Sequence, residues 1–344
     1  MKRRTMIACG IIALLFVLLI GRLIYFSIFK NGIYKRQVLS QQNYSSETLP
    51  YKRGDILDRD GNTLATSQKM YTLVLEPKNI LRSEEVQKST IDALHKYMKL
   101  DEDKLLKFIK KHKNSYYSVY RDELSYSDIA DFKDFIASDK ADNVSGIVFS
   151  EKYKRRYPNQ SLASQVIGFV SDGTIGTGGI EQYYNSTLSG VNGRKYKYLN
   201  EELEQDSSIV EPENGKTVVS TIDSNIQKLA EDQLAKFEKK YGSKGSSILV
   251  MNPNNGEIYA MANSTSYNLE SPRDDKNLLK KYSQSEVNNM SEKQKTEAFN
   301  EIWKNPIVSN AFEPGSTYKP FTVAAGLDCL LYTSPSPRDR SVSR

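Results

Sequence analysis

The feature that most constrains this chain is "MIACGIIALLFVLLIGRLIYFSIF", Met6–Phe29, an apolar run interrupted by one charge, Arg22. About 20 apolar residues at 1.5 Å per residue cross the hydrocarbon of a bilayer, so the run predicts a single membrane-spanning helix. No small-residue cleavage site of the A-x-A kind follows it, which argues against a removed signal peptide. Lys2, Arg3 and Arg4 on the short side predict a cytoplasmic N-terminus and an extracytoplasmic location for the rest of the chain. A lipid bilayer is therefore the first expected partner, and the expected setting is a cell membrane crossed once.

Composition closes other routes. The net charge of +6 is spread along the 344 residues, with acidic segments between the lysines, so no basic stripe points to nucleic acid. Two cysteines and two histidines without ligand spacing exclude a disulfide framework and a Cys/His metal site, and no cofactor is expected.

Periodicity divides the remainder. A polar stalk over 31–50 leads into "YKRGDILDRDGNTLATSQKMYTLVLEP", which reads as short strands around the Asp60-Gly61-Asn62 turn. Its Arg53-Gly54-Asp55 triplet is better read as a strand edge beside a turn than as an adhesion signal. From Ser83 to about Lys140 apolar residues recur three and four apart, predicting helices. The glycines of "SDGTIGTGGIEQYYNSTL" do not fit a dinucleotide fingerprint and are assigned to loop chemistry, with a short helix after them. "NEELEQDSSIVEPENGK" reads as an acidic linker. Beyond it, "TVVSTIDSNIQKLAEDQLAKFEKKYGS" reads as a strand entering a helix, with Ser224 and Gln227 as a capping box and Ile226, Leu229, Ala230, Leu234 and Phe237 as its apolar face. "SSILVMNPNNGEIYAMANS" predicts a hairpin turning at Asn255-Gly256. Ser264–Trp303, rich in lysine, is expected as surface helix and loop.

Chemistry concentrates in "FEPGSTYKPF", Phe312–Phe321. If Ser316 opens a helix, Lys319 lies on the same side, since positions i and i+3 are neighbours on a helix. A serine hydroxyl becomes a nucleophile when a base takes its proton. A lysine serves only with its ammonium pKa shifted down by burial or nearby positive charge. Tyr318, Phe312, Phe321 and the prolines are the expected apolar wall, and the helix N-terminus would stabilise an oxyanion.

These segments, in order, resemble a class B penicillin-binding protein, a monofunctional D,D-transpeptidase of peptidoglycan synthesis. "RGDILDRDGNTLA" (Arg53–Ala65) is similar to the first motif of the family's pedestal, "RRYPNQSLASQVIGFV" to the second, and "GGIEQYYNSTLSGVNGRK" to a third. "TIDSNIQ" and "MNPNNGEIYAMA" resemble the start of the transpeptidase domain. The resemblance implies an α+β fold: a transmembrane helix (1–30), a stalk (31–50), an elongated α+β pedestal or dimerisation domain (51–214), and the first part of a β-lactamase-like serine transpeptidase domain (215–327).

It further implies Ser316 as the acylated nucleophile and Lys319 as its base. Implied partners are stem peptides ending in D-Ala-D-Ala, β-lactam antibiotics, and divisome or elongasome proteins including a glycosyltransferase. The family's S-x-N and K-T-G motifs do not follow Lys319, and "DCLLYTSPSPRDRSVSR" (328–344) resembles translated vector sequence and is expected to be non-native. The chain as written is accordingly expected to be inactive by itself. A membrane-bound β-lactam sensor, a β-lactamase and a non-catalytic scaffold of the cell-wall machinery are the competing readings.

Overall fold

The structure, a computed structural model, describes residues 14–22, 45–138, 141–171, 173–199, 205–243 and 245–329. Residues 14–22 are helical and exposed. No helix among the described residues is long and apolar enough to cross a membrane, and most of the expected span, the stalk up to residue 44 and the tail from residue 330 lie outside them.

The long strand β3 (Thr63–Leu75) is the spine. The turn before it needs the left-handed backbone of Gly61, at φ +86°. Along one edge β3 carries β5 (Ile147–Arg156), antiparallel from Thr66 to Leu75. Along the other it carries β2 (Ile56–Leu57) near its start and β4 (Ser118–Leu124) near its end. A parallel strand, β10 (Val218–Val219), extends the sheet beyond β2.

Over the far end of β3 pack α1 (Pro77–Ile80), α2 (Glu84–Met98), α3 (Glu102–Lys111) and α4 (Tyr126–Ile136). Ser83 and Asp101 cap α2 and α3 by accepting from the backbone N–H groups of Val86 and Lys104. Leu73, Leu75, Leu94, Leu105, Ile109 and Phe132 fill the core beneath. The helical reading of Ser83–Lys140 overlooks β4. Its Val119 and Tyr120 favour a pleated strand, and pairing with β3 completes the sheet.

A short antiparallel pair follows, β6 (Phe169–Ser171) with β7 (Ile175–Thr177), and a second core joins segments far apart in sequence. Ile56, Leu64, Tyr157, Phe169 and Leu188 pack with Tyr267, Leu269, Leu278, Val287, Phe299 and Ile302. The expectation that Ser264–Trp303 is surface is therefore corrected: α9 (Asp275–Leu278), α10 (Gln284–Asn289) and α11 (Glu292–Trp303) turn their few apolar residues inward and their lysines outward. The acidic "linker" is also corrected. Its middle forms β9 (Gln205–Val210), antiparallel to β8 (Gly193–Leu199), whose other edge takes β1 (Ser45–Leu49).

The hairpin of β11 (Ser247–Met251) and β12 (Ile258–Asn263) forms as expected, with α8 (Ser224–Tyr241) packed on it through Ala230, Leu234, Ala260 and Ala262. Leu229 and Phe237 of the predicted apolar face remain exposed. The expected capping box is replaced: Asp223 caps α8, accepting from the N–H groups of Asn225 and Ile226.

Candidate functional site

After α12 (Pro306–Ser309) the chain reaches Gly315, whose φ of +58° turns it into a 3-10 turn over Gly315–Tyr318. The helix α13 (Lys319–Asp328) continues directly from that turn, with Pro320 in its first turn, where its missing N–H costs little. Ser316 thus sits one turn ahead of the α-helix rather than at its first residue. Thr317 N–H and Oγ1 both donate to Pro314 carbonyl, at 3.3 and 2.5 Å, and fix the turn.

Both Ser316 and Lys319 are exposed, and among the described residues no hydrogen bond joins their side chains. The apolar wall expected around Lys319 is not assembled. Phe312 is 81% exposed and Phe321 67%, while Tyr318 stacks on Phe321 at 5.6 Å in the open. Val323 and Leu327 also face outward, so α13 carries an uncovered apolar surface. The sequence spacing is present, but the enclosure is not.

Three of the motifs singled out in the sequence meet elsewhere, in a buried cluster. Arg53, in the loop before β2, Arg155, near the end of β5, and Glu181, on α6 (Gly179–Tyr183), converge with side chains 4%, 5% and 0% exposed. Arg53 donates through Nε to Glu181 Oε2 at 2.8 Å and through Nη2 to the Glu181 backbone carbonyl at 3.0 Å, with Nη2 2.7 Å from Oε2 in the ion pair; Arg155 donates through Nε to Oε1 at 2.8 Å. Arg53 Nη1 reaches Asn185 Oδ1 and Ser189 Oγ, on and just after α7 (Asn185–Leu188), at 3.0 and 2.8 Å. Tyr157 donates its hydroxyl to Glu181 Oε1 at 3.3 Å, and burial, then the neighbouring carboxylate, push its phenol pKa far up. The nearby glycines serve close approach: a Cβ on Gly176 would stand 1.9 Å from the Glu181 carbonyl oxygen.

A second set of polar contacts ties the pedestal to the segments that follow it. Asp58, fully buried, accepts from Ser224 Oγ at 2.6 Å, from Asn62 N and Nδ2, and from Asp60 N. Burial alone would raise its carboxyl, but these hydrogen bonds outweigh it and hold the pKa at about 2. Gln227 on α8 pairs with the Met261 backbone of β12 through both amide atoms, at 2.7 and 3.2 Å. On α5 (Ser164–Ile167), Ser164 accepts from Tyr267 N–H and hydroxyl, at Oγ and carbonyl, and Gln165 reaches the carbonyls of Thr265 and Ile302. Glu270 accepts from Tyr157 N and Arg156 Nη1, at 2.6 and 3.2 Å. Sequence reasoning named none of these as functional residues. The usable signal was a charged residue recurring inside each short Gly/Pro-punctuated motif.

The architecture is an α+β pedestal threaded by these contacts into a second α+β unit, with a serine in the turn that leads into a helix and a lysine at that helix's first residue. The penicillin-binding protein dimerisation domain matches residues 48–220, and the penicillin-binding protein transpeptidase domain matches residues 246–332. The chain belongs to the class B penicillin-binding proteins.

It is 28% identical over 332 residues to stage V sporulation protein D of Bacillus subtilis, covering 92% of this chain and 46% of that protein. It is 28% identical over 324 residues to the peptidoglycan D,D-transpeptidase FtsI of Buchnera aphidicola, covering 93% and 51% respectively. The chain therefore spans about half the length of the curated relatives it matches. The crystal structure of penicillin-binding protein 2X from Streptococcus thermophilus superposes with a TM-score of 0.55 at 23% identity, over 66% of this chain and 36% of that one, which shows a shared fold.

Proposed function

We propose that this protein acts in peptidoglycan cross-linking as a D,D-transpeptidase, with Ser316 as nucleophile and Lys319 as its base. Ser316 Oγ attacks the carbonyl of the penultimate D-alanine of a stem peptide while its proton passes to the Lys319 amine. The bond to the terminal D-alanine breaks, and that residue leaves as a protonated amine. An amine on a neighbouring strand then takes the acyl group from Ser316, which forms the cross-link and restores the hydroxyl. A β-lactam acylates the same oxygen.

The observation that carries the reading is the Ser316–Lys319 pair at the head of α13, inside the segment that matches the transpeptidase domain. The test is labelling with a fluorescent penicillin of a gene product spanning the full length of the relatives, of which this chain covers about half, beside Ser316→Ala. Covalent label lost with that substitution supports the assignment; label at another side chain refutes it.

The same proposal places the protein in the cell membrane, crossing once, with Met6–Phe29 as anchor and the basic tip inside. Release of intact protein by alkaline carbonate would overturn that part. The exposure of Ser316 and Lys319 beside a fully packed pedestal favours a second reading, in which the chain alone serves as a scaffold of the cell-wall machinery. Recovery of other cell-wall synthesis proteins with a Ser316→Ala variant, undiminished relative to the unmutated chain, would support it.

A further inference from the structure

The buried Arg53–Arg155–Glu181 cluster is not balanced: two guanidiniums share one carboxylate. Arg155 spends Nε on Glu181, and Nη1 on the Gly54 carbonyl at 2.8 Å and Ser67 Oγ at 3.1 Å. Its Nη2, carrying two N–H groups, is buried with no hydrogen-bond partner. A buried guanidinium donor left unsatisfied is costly, and native proteins rarely leave one so. Arg155 lines a cavity of about 550 Å³, together with Arg53, Ser67, Tyr157, Lys152, Lys154 and the carboxylates of Glu123 and Glu270. Lys152 and Lys154 are paired with Asp122 and Glu123, and Glu270 with Arg156, so the uncompensated charge lies in the cluster itself. Ser67 Oγ accepts from Arg155 and, among the described residues, donates to nothing, which adds a third free hydrogen beside the two on Nη2.

We propose that this cavity is a binding site for a carboxylate group. One negative charge neutralises the cluster, whereas a phosphate dianion would overshoot it, and water would satisfy Nη2 without touching the charge. With Nε and Nη1 engaged, the carboxylate would accept from the N–H groups of Nη2 alone, as a charge-assisted hydrogen bond. Arg155 lines the cavity while its Nη2 is buried from solvent, so contact with a ligand there requires neighbouring side chains to give way. The carboxylate comes either from a chain terminus or from an acidic side chain.

The test is the thermal midpoint of the detergent-solubilised full chain, followed by fluorescence of the single tryptophan, Trp303, which packs against the same core as Tyr157. Sodium acetate is titrated against sodium chloride at equal ionic strength. Acetate is expected to raise the midpoint saturably, by roughly 4 °C near saturation, with little response to inorganic phosphate. Arg155→Met is expected to abolish the rise. Ser67→Ala, which disturbs less, should weaken apparent affinity about fivefold. N-acetylalanine and N-acetylglutamate amide distinguish the sources, the former offering a terminal carboxylate and the latter a side-chain one. Equal responses to acetate and chloride overturn the proposal. So does a full acetate response in Ser67→Ala, whether or not Arg155→Met folds.

Discussion

Arg53 and Glu181 stand 128 positions apart in the chain, yet Arg53 Nε and Nη2 lie 2.8 and 2.7 Å from the same carboxylate oxygen. The contact pins the loop before β2 to α6, and Arg155 on the other oxygen pins β5 to both. Removing the carboxylate leaves two guanidiniums buried against each other. Glu181→Ala is therefore expected to cost about 3–5 kcal/mol of stability. Urea unfolding monitored at Trp303 checks it, and an unchanged midpoint would show that the cluster contributes nothing to holding the pedestal together.

The Asp58–Ser224 contact makes a pH prediction. Asp58 ionises at about 2 in the fold against an ordinary 3.8, so the folded state favours the carboxylate. The stabilisation is complete above the ordinary value, and it is lost as pH falls from 3.8 through about 2, because protonation removes the acceptor that Ser224, Asn62 and Asp60 share. Asp58→Asn should flatten the acid limb of stability over that window and lower stability at neutral pH. An acid limb of unaltered slope in the variant would assign the effect to other carboxylates.

The segment from Ser264 to Trp303 allows a direct contrast between its two faces. Ile302 is enclosed with Phe299, Tyr267 and Phe169, whereas Lys293, on the same helix α11, is exposed. Ile302→Ala should destabilise by about 2–4 kcal/mol, and Lys293→Ala by less than about 0.5 kcal/mol. Matching unfolding midpoints for the two variants would return the segment to the surface.

That segment also marks where sequence reading stops. Helices α2, α3 and α4, the β3 strand and the β11–β12 hairpin were legible, because each shows a period of its own and ends on turn or capping residues. Ser264–Trp303 was misread because its buried residues are few and widely spaced among lysines and asparagines, and only packing against Phe169 and Tyr157 reveals their side. β9 was hidden because charged and polar residues tolerate an edge strand, and its pairing with β8 is a tertiary event. Ser316 and Lys319 were legible as a spacing. Their surroundings were not, since enclosure depends on what packs over α13, and spacing carries no information about that.

The uncovered surface of α13 bears on both activity and solubility. Phe321, Val323 and Leu327 expose apolar area on a helix that, among the described residues, has the Gly315–Tyr318 turn as its tight local partner, and exposed apolar patches of this kind drive association. Because these side chains bury little, replacing Phe321 and Leu327 together by Glu should leave the unfolding midpoint within about 0.5 kcal/mol while reducing aggregation in light scattering. The same openness leaves the Ser316–Lys319 pair uncovered, with no hydrogen bond between the two side chains among the described residues. The unmodified 344-residue chain is thus expected to take up fluorescent penicillin no faster than its Ser316→Ala form. Serine-dependent labelling of this chain would mean that the 3-10 turn at Ser316 assembles a competent nucleophile without further enclosure, and that the exposed arrangement of α13 is not the one that reacts.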